Sequence, residues 1–220
     1  PAIWIVDRPG AVQVEILVGL STVAPHDEDF PALEVLASLL GGNVGGRLFR
    51  DLRERQGLAY IINAEQSREG RFAVTTRARP ERVVALLRGI EAHIRFLAET
   101  PLETCEIRML KDRMLGEEAL LADDPEARAA RIGSELALFG APRSPSRVGR
   151  RHLDAIERGL ETVARRHLAA RPAIVLVGDA DRLEHDLSKA FPERGLRILD
   201  PRLEPMRSLP PSRKESTGPD

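Results

Sequence analysis

From Pro80 to Leu168 the sequence keeps a helical period with few breaks, and strand-like runs lie on both sides of that block. Helices gathered together beside hairpins, rather than alternating with single strands, call for an α+β fold. The expected architecture is a two-layer sandwich of a mainly antiparallel sheet packed against helices. Val83, Leu86, Leu87, Ile90, Ile94 and Leu97 mark the first helix of the block. Thr100 and Glu103, with Pro101 between them, read as a capping box for the second. Asp124-Pro125 opens a third, which Gly140 ends. The stretch APRSPS (141–146) reads as a surface loop, and two shorter helices follow.

Ahead of the block, Ala2–Asp7 and the alternating Val12, Val14, Ile16 and Val18 read as a hairpin turned at Arg8-Pro9-Gly10. Leu33, Leu36, Ala37 and Leu40 then share one face of a helix opened by Asp27, Glu28 and Asp29. A glycine-dense connection, GGNVGG (41–46), leads to a short helix over Arg47–Gln56, with Gly57 as its cap. Leu58–Ser67 and Arg71–Arg79 read as a second hairpin. After the block come a buried strand (AIVLV, 173–177), a helix over Asp181–Ala190 and a final edge strand at Leu196–Leu199. Beyond Asp200 the chain turns to Pro, Ser and charge without a period, so residues 1–200 read as one domain and 201–220 as a disordered tail.

Composition removes several function classes. Lys and Arg total 33 against 34 Asp and Glu, a net charge of −1, so no overall field draws the chain to nucleic acid or an anionic membrane. With 6 Phe, 1 Trp and 1 Tyr there are too few rings for a base-stacking platform. The uncharged run Val35–Gly46 is far short of the ~18 apolar residues of a membrane span. The single cysteine, Cys105, excludes a disulfide framework and a multi-cysteine zinc cage, and reads as a small buried apolar residue. Only Lys111, Lys189 and Lys214 among the basic residues are lysine, which fits a GC-rich, bacterial coding bias. Periplasm and cytoplasm stay equally open.

The 5 histidines (His26, His93, His152, His167 and His185) contain no His-x-x-Glu-His motif or its inversion, so no metal site is expected in this chain. GGNVGG lacks the Lys-Ser/Thr of a phosphate loop and follows a helix instead of a strand, so it reads as a helix–helix connection. The informative run is GGRLFRDLRERQGLAY (45–60). Arg53 lies in the last turn of the short helix, and Tyr60, the chain's lone tyrosine, comes just after the bend at Gly57. A guanidinium and a phenol are both hydrogen-bond donors, and two donors converging on a cleft suit a peptide carbonyl or its oxyanion. On spacing alone a blander reading is favoured: Arg53 in a surface ion pair and Tyr60 in the core beside Leu58 and Ile62.

VDRPGAVQVEILVG together with LASLLGGNVGGRLFRDLRERQGLAY resembles the zinc-free C-terminal half of pitrilysin-type zinc peptidases, the group of insulysin and mitochondrial processing peptidase. The likeness is dense over the first third of the chain and continues loosely to AIVLVG (173–178). It implies the mitochondrial-processing-peptidase-like fold and a heterodimer or two-half unit closing over an extended peptide. The zinc-bearing half carries His-x-x-Glu-His and lies upstream on the same polypeptide or on a separate protein. Its glutamate activates water for attack on the peptide carbonyl. The zinc-free half supplies an Arg and a Tyr at the spacing of Arg53 and Tyr60, which contact substrate near the scissile bond. The resemblance thus reverses the odds on this pair and implies a chain inactive by itself. The alternative is a non-catalytic scaffold or interaction subunit of the same fold, as in the respiratory-complex core proteins. A small-molecule-binding domain using the glycine loop is a weaker third.

Overall fold

The computed structural model describes residues 2–41, 45–142 and 145–211. Seven strands form one sheet in the order β3-β4-β2-β5-β1-β6-β7. They are β1 (Ile3–Asp7), β2 (Val14–Ser21), β3 (Ile62–Gln66), β4 (Arg71–Ala78), β5 (Ala173–Gly178), β6 (Leu196–Leu199) and β7 (Pro205–Leu209). Alternation sets which face is covered. Ile3, Ile5, Val14, Ile16, Val18, Phe72, Val74, Ile174, Leu176, Leu196 and Ile198 are all buried, whereas Trp4, Val6, Leu17, Thr75, Val175 and Val177 on the other face are only half-buried. Helices α1 (Phe30–Gly41), α2 (Val83–Glu99), α6 (Leu160–Leu168) and α7 (Ala180–Ala190) contact the strands. Outside them lie α3 (Thr104–Asp123), α4 (Pro125–Phe139) and α5 (Pro145–Arg158). The result is a two-layer α+β fold.

Four of the six strand pairings are antiparallel, so the sheet is mainly antiparallel but mixed. The first hairpin does not form. β5 lies between β1 and β2, and β1 runs parallel to both β5 and β6. The chain leaving β1 is tied to the end of β5 instead: Arg8 N donates to the Gly178 carbonyl and Gly10 N to the Asp179 side chain. β6 is not an edge strand either, because β7 pairs antiparallel with it, inside the segment expected to be a disordered tail. Asp200 Oδ1 accepts from the backbone N–H groups of Arg202 and Glu204, which turns the chain back. Arg207 then ties β7 to Asp181 and Glu184 of α7. Residues 212–220 of that tail lie outside the described residues.

Helix ends follow the sequence with two changes. Gly140 closes α4 at φ 70° as expected. The α3 capping box is one turn later than expected, formed by Glu103 and Glu106. Glu106 takes the inward position on that turn, so neighbouring Cys105 is exposed rather than buried. The expected 141–146 loop is shorter, since α5 begins at Pro145, a residue well suited to a first turn; 143–144 lie outside the described residues. Of the glycine connection, Gly41 ends α1 against β3, where a Cβ would lie 2.9 Å from Ala64 N, and Gly46 backs onto Gly41 as closely. Close packing accounts for those two; residues 42–44 lie outside the described residues.

Candidate functional site

The short helix forms, and between Phe49 and Arg55 it widens into a π-helix. Leu48 and Leu52 bury its inner side completely. Arg47, at its start, forms a buried two-pronged ion pair with Glu106 of α3 at 2.7 and 2.6 Å, and lies 4.8 Å over the Phe96 ring. At the other end Gly57, at φ +61°, lets the chain reverse. Gly57 N donates to the Arg53 carbonyl, and Leu58 N to that of Leu52 at 2.8 Å. Because Leu58 is still bonded to the helix, it cannot join the sheet. β3 therefore begins at Ile62 rather than at Leu58, and Tyr60 sits in the bend before it.

Two points on α2 seat this π-helix. Leu52 fills the space left by Gly89, where a Cβ would come within 2.5 Å of Leu52 Cδ2. One turn further on, His93 Nε2 meets Asp51 Oδ2 at 2.8 Å. Burial works against the Asp51 charge, but the hydrogen bonds from His93 and Gln56 outweigh it and hold this carboxyl below its ordinary range.

Arg53 and Tyr60 are brought together by this geometry. The Arg53 guanidinium lies 4.7 Å over the Tyr60 ring and 4.4 Å over that of Phe49, with Glu54 Oε1 at 3.5 Å from its Nε. A guanidinium held over a ring face by the cation–π attraction spends no N–H donor on a hydrogen bond to that ring. Tyr60 is 76% exposed, so it is not a core residue like Ile62. Both line an open cleft of about 640 Å³, shared with Gln13, Glu54, Arg77, Arg79 and Arg82. Chemically the cleft offers a phenol and several guanidiniums, a donor-rich wall suited to carbonyl or carboxylate oxygens. The spacing of Arg53 and Tyr60 was readable in the sequence. Asp51 reads in the sequence only as an acid four residues before Arg55, and His93 only as one of the scattered histidines. Gly89 and the arginines of RARPER (77–82) carry no signal beyond the density of arginine at the end of a strand.

Two of the other histidines face carboxylates away from this site. His152 meets Glu34 at 2.9 Å and His167 meets Asp29 at 2.8 Å. Among the described residues no three His, Cys, Asp or Glu side chains group as metal ligands, so these residues do not fit a zinc ion. No described helix is long and apolar enough to cross a membrane.

A sequence model of the peptidase M16 inactive domain matches residues 2–114. An uncharacterized zinc protease of Streptomyces coelicolor is 30% identical over 169 residues, which is 76% of this chain and 37% of that protein. The chain spans less than half the length of the curated relatives it matches. Among solved structures, a peptidase M16 inactive domain from Pseudomonas fluorescens superposes with a TM-score of 0.66 at 20% identity, covering 81% of this chain and 44% of that one. A chain of complex III2 from Candida albicans gives 0.67 at 10% identity, covering 83% and 47%.

Proposed function

The chain belongs to the peptidase M16 inactive-domain family, and from that premise we propose that it is the zinc-free half of a zinc peptidase. Its partner is a zinc-bearing His-x-x-Glu-His half, and its ligand an extended peptide lying between the two. Zinc and the attacking water belong to that partner. What this chain does is hold: Arg53 and Tyr60 donate to the substrate carbonyl and to the oxyanion that develops on it. The observation that carries the reading is that the Arg53 guanidinium lies over the Tyr60 ring while both residues line one open cleft. Contact with the Phe49 and Tyr60 rings and with Glu54 restrains the guanidinium before substrate arrives, so less ordering is needed on binding.

The test is reconstitution with a zinc-bearing half and a peptide-cleavage assay. This chain alone is expected to bind no stoichiometric zinc and to cleave nothing. In the reconstituted pair, Arg53→Ala and Tyr60→Phe should each lower turnover by more than about tenfold, since losing one oxyanion donor typically costs about 10²–10³ in kcat. Unchanged rates in both variants would select the second reading, a non-catalytic scaffold. That reading draws on the fold shared with the complex III2 chain.

A further inference from the structure

We propose that the cleft beside Arg53 and Tyr60 also recognises a carboxylate on the bound peptide, gripped by Arg79 and Arg82; this rests on the peptide-holding role proposed above. Four guanidiniums, those of Arg53, Arg77, Arg79 and Arg82, line the one cleft, and Glu54 is the sole acid lining it. Two of the four are already answered. Glu54 turns to Arg53 at 3.5 Å, and Glu15 holds Arg77 at 2.6 Å. The other two have no counter-charge among the described residues. Arg79 is exposed and makes no side-chain hydrogen bond, ion pair or ring contact, while Arg82 donates only to the neutral carbonyl of Gly57. Several other surface arginines face acids, as Arg71, Arg166, Arg171, Arg182 and Arg207 do. What sets Arg79 and Arg82 apart from exposed arginines that do not, such as Arg95 and Arg108, is that both line the cleft of Arg53 and Tyr60.

Register places these free charges at the carbonyl-holding pair. Ala78 pairs with Val14, so Gln13 and Arg79 are the next residues beyond the paired ends of β2 and β4. Thr76 Oγ1 donates to the Ile61 carbonyl at 2.6 Å, which lays Tyr60 along the same end of β4. A peptide held by Arg53 and Tyr60 therefore runs beside Arg79 and Arg82. A planar guanidinium matches a carboxylate with two parallel hydrogen bonds, and unpaired like charges around a cleft raise the local concentration of anionic ligands. A peptide has two sources of that group, an Asp or Glu side chain and its own C-terminus.

The experiment reads binding on the full chain, without zinc or partner, by fluorescence anisotropy of labelled short peptides of equal length. The set comprises an internal-Glu peptide with an amidated end, its Gln and Lys counterparts, and the Gln peptide with a free C-terminal carboxylate. One of the two carboxylate peptides should bind about five- to tenfold tighter than the amidated Gln peptide, and the gap should shrink at high salt. Which of them gains identifies the source. Arg79→Glu should reverse the order in favour of Lys, and Arg82→Gln should narrow the gap. Arg108→Glu, the same charge change on the exposed side of α3, should leave it intact. Equal binding of all peptides, no binding of any, or a preference that survives Arg79→Glu overturns the proposal. Turnover of the reconstituted pair is a separate readout. Peptide discrimination together with unchanged turnover in Arg53→Ala would reject the carbonyl role and leave the carboxylate site standing.

Discussion

Arg47 takes a full positive charge to a place that is only 8% exposed, and it is matched there by Glu106, itself 9% exposed. The hydrogen bonds from Arg47 hold the Glu106 carboxyl below its ordinary range, against the opposing effect of burial. Such a pair is costly to break from one side, because the surviving charge stays in a poor solvent. Glu106→Gln should therefore lower unfolding stability by about 3–5 kcal/mol, read as a drop in the urea midpoint. Replacing both partners with apolar residues, Arg47→Met with Glu106→Leu, should cost less than the single change. A double variant no better than Glu106→Gln would show that packing against Phe96, not charge, is what the pair supplies. This contact joins residues far apart in the chain, and nothing in the local pattern around Arg47 or Glu106 announces it. Arg53 and Tyr60 were legible for the opposite reason: they lie in one short run, on either side of a glycine. The cleft arginines fell between these cases, visible as residues but without a sequence rule that says which of them lack an acid.

At the scale of elements, the π-helix matters because it carries Arg53 and takes its position from α2. Gly89 leaves the room that Leu52 occupies, with no space for a Cβ between them. Gly89→Ala would force buried Leu52 out of its seat, an overpacking worth about 1–3 kcal/mol. Since Arg53 is the next residue, the same push should widen the 4.7 Å separation between its guanidinium and the Tyr60 ring. Adding Leu52→Val should return part of both losses, and a double-mutant cycle in urea with a structure of each variant checks it. Additive losses would mean that Gly89 and Leu52 do not act as one contact. Periodicity found the helices well: Leu33, Leu36 and Leu40 of α1 and Val83 through Leu97 of α2 are buried as read. It could not distinguish a π-helix from an α-helix, since the difference is one residue per turn over a short span. The β1–β2 hairpin failed because a turn-like Arg8-Pro9-Gly10 says where the chain bends, not which strand it meets next. β7 escaped notice because almost all of it is exposed, leaving no apolar alternation to read.

Across the whole molecule, three carboxylates tie together elements that are distant in the chain. Asp29, at the start of α1, binds Arg166 at 2.6 Å and His167 at 2.8 Å on α6. Asp51 binds α2 through His93, and Glu106 binds Arg47 ahead of the π-helix. For Asp29, burial favours the neutral acid, yet the partners on α6 prevail and its carboxyl, like the other two, is held below its ordinary range. The sign follows from linkage. A folded-state pKa below the unfolded value, about 3.9 for Asp and 4.3 for Glu, adds stability that is complete above those values. It is lost as pH falls through the lowered folded values. Urea midpoints should thus hold steady down to about pH 5 and then fall steeply below about pH 4. Asp29→Asn and Asp51→Asn should each lower the plateau and flatten the acid limb, and combined they should flatten it further. An acid limb unchanged in the combined variant would mean that other carboxylates control acid unfolding. The same titration reaches the candidate site, because protonating Asp51 releases one of the two points that seat the π-helix. Peptide binding at Arg53 and Tyr60 should therefore weaken in the same acid range, and Asp51→Asn should carry that weakening to neutral pH.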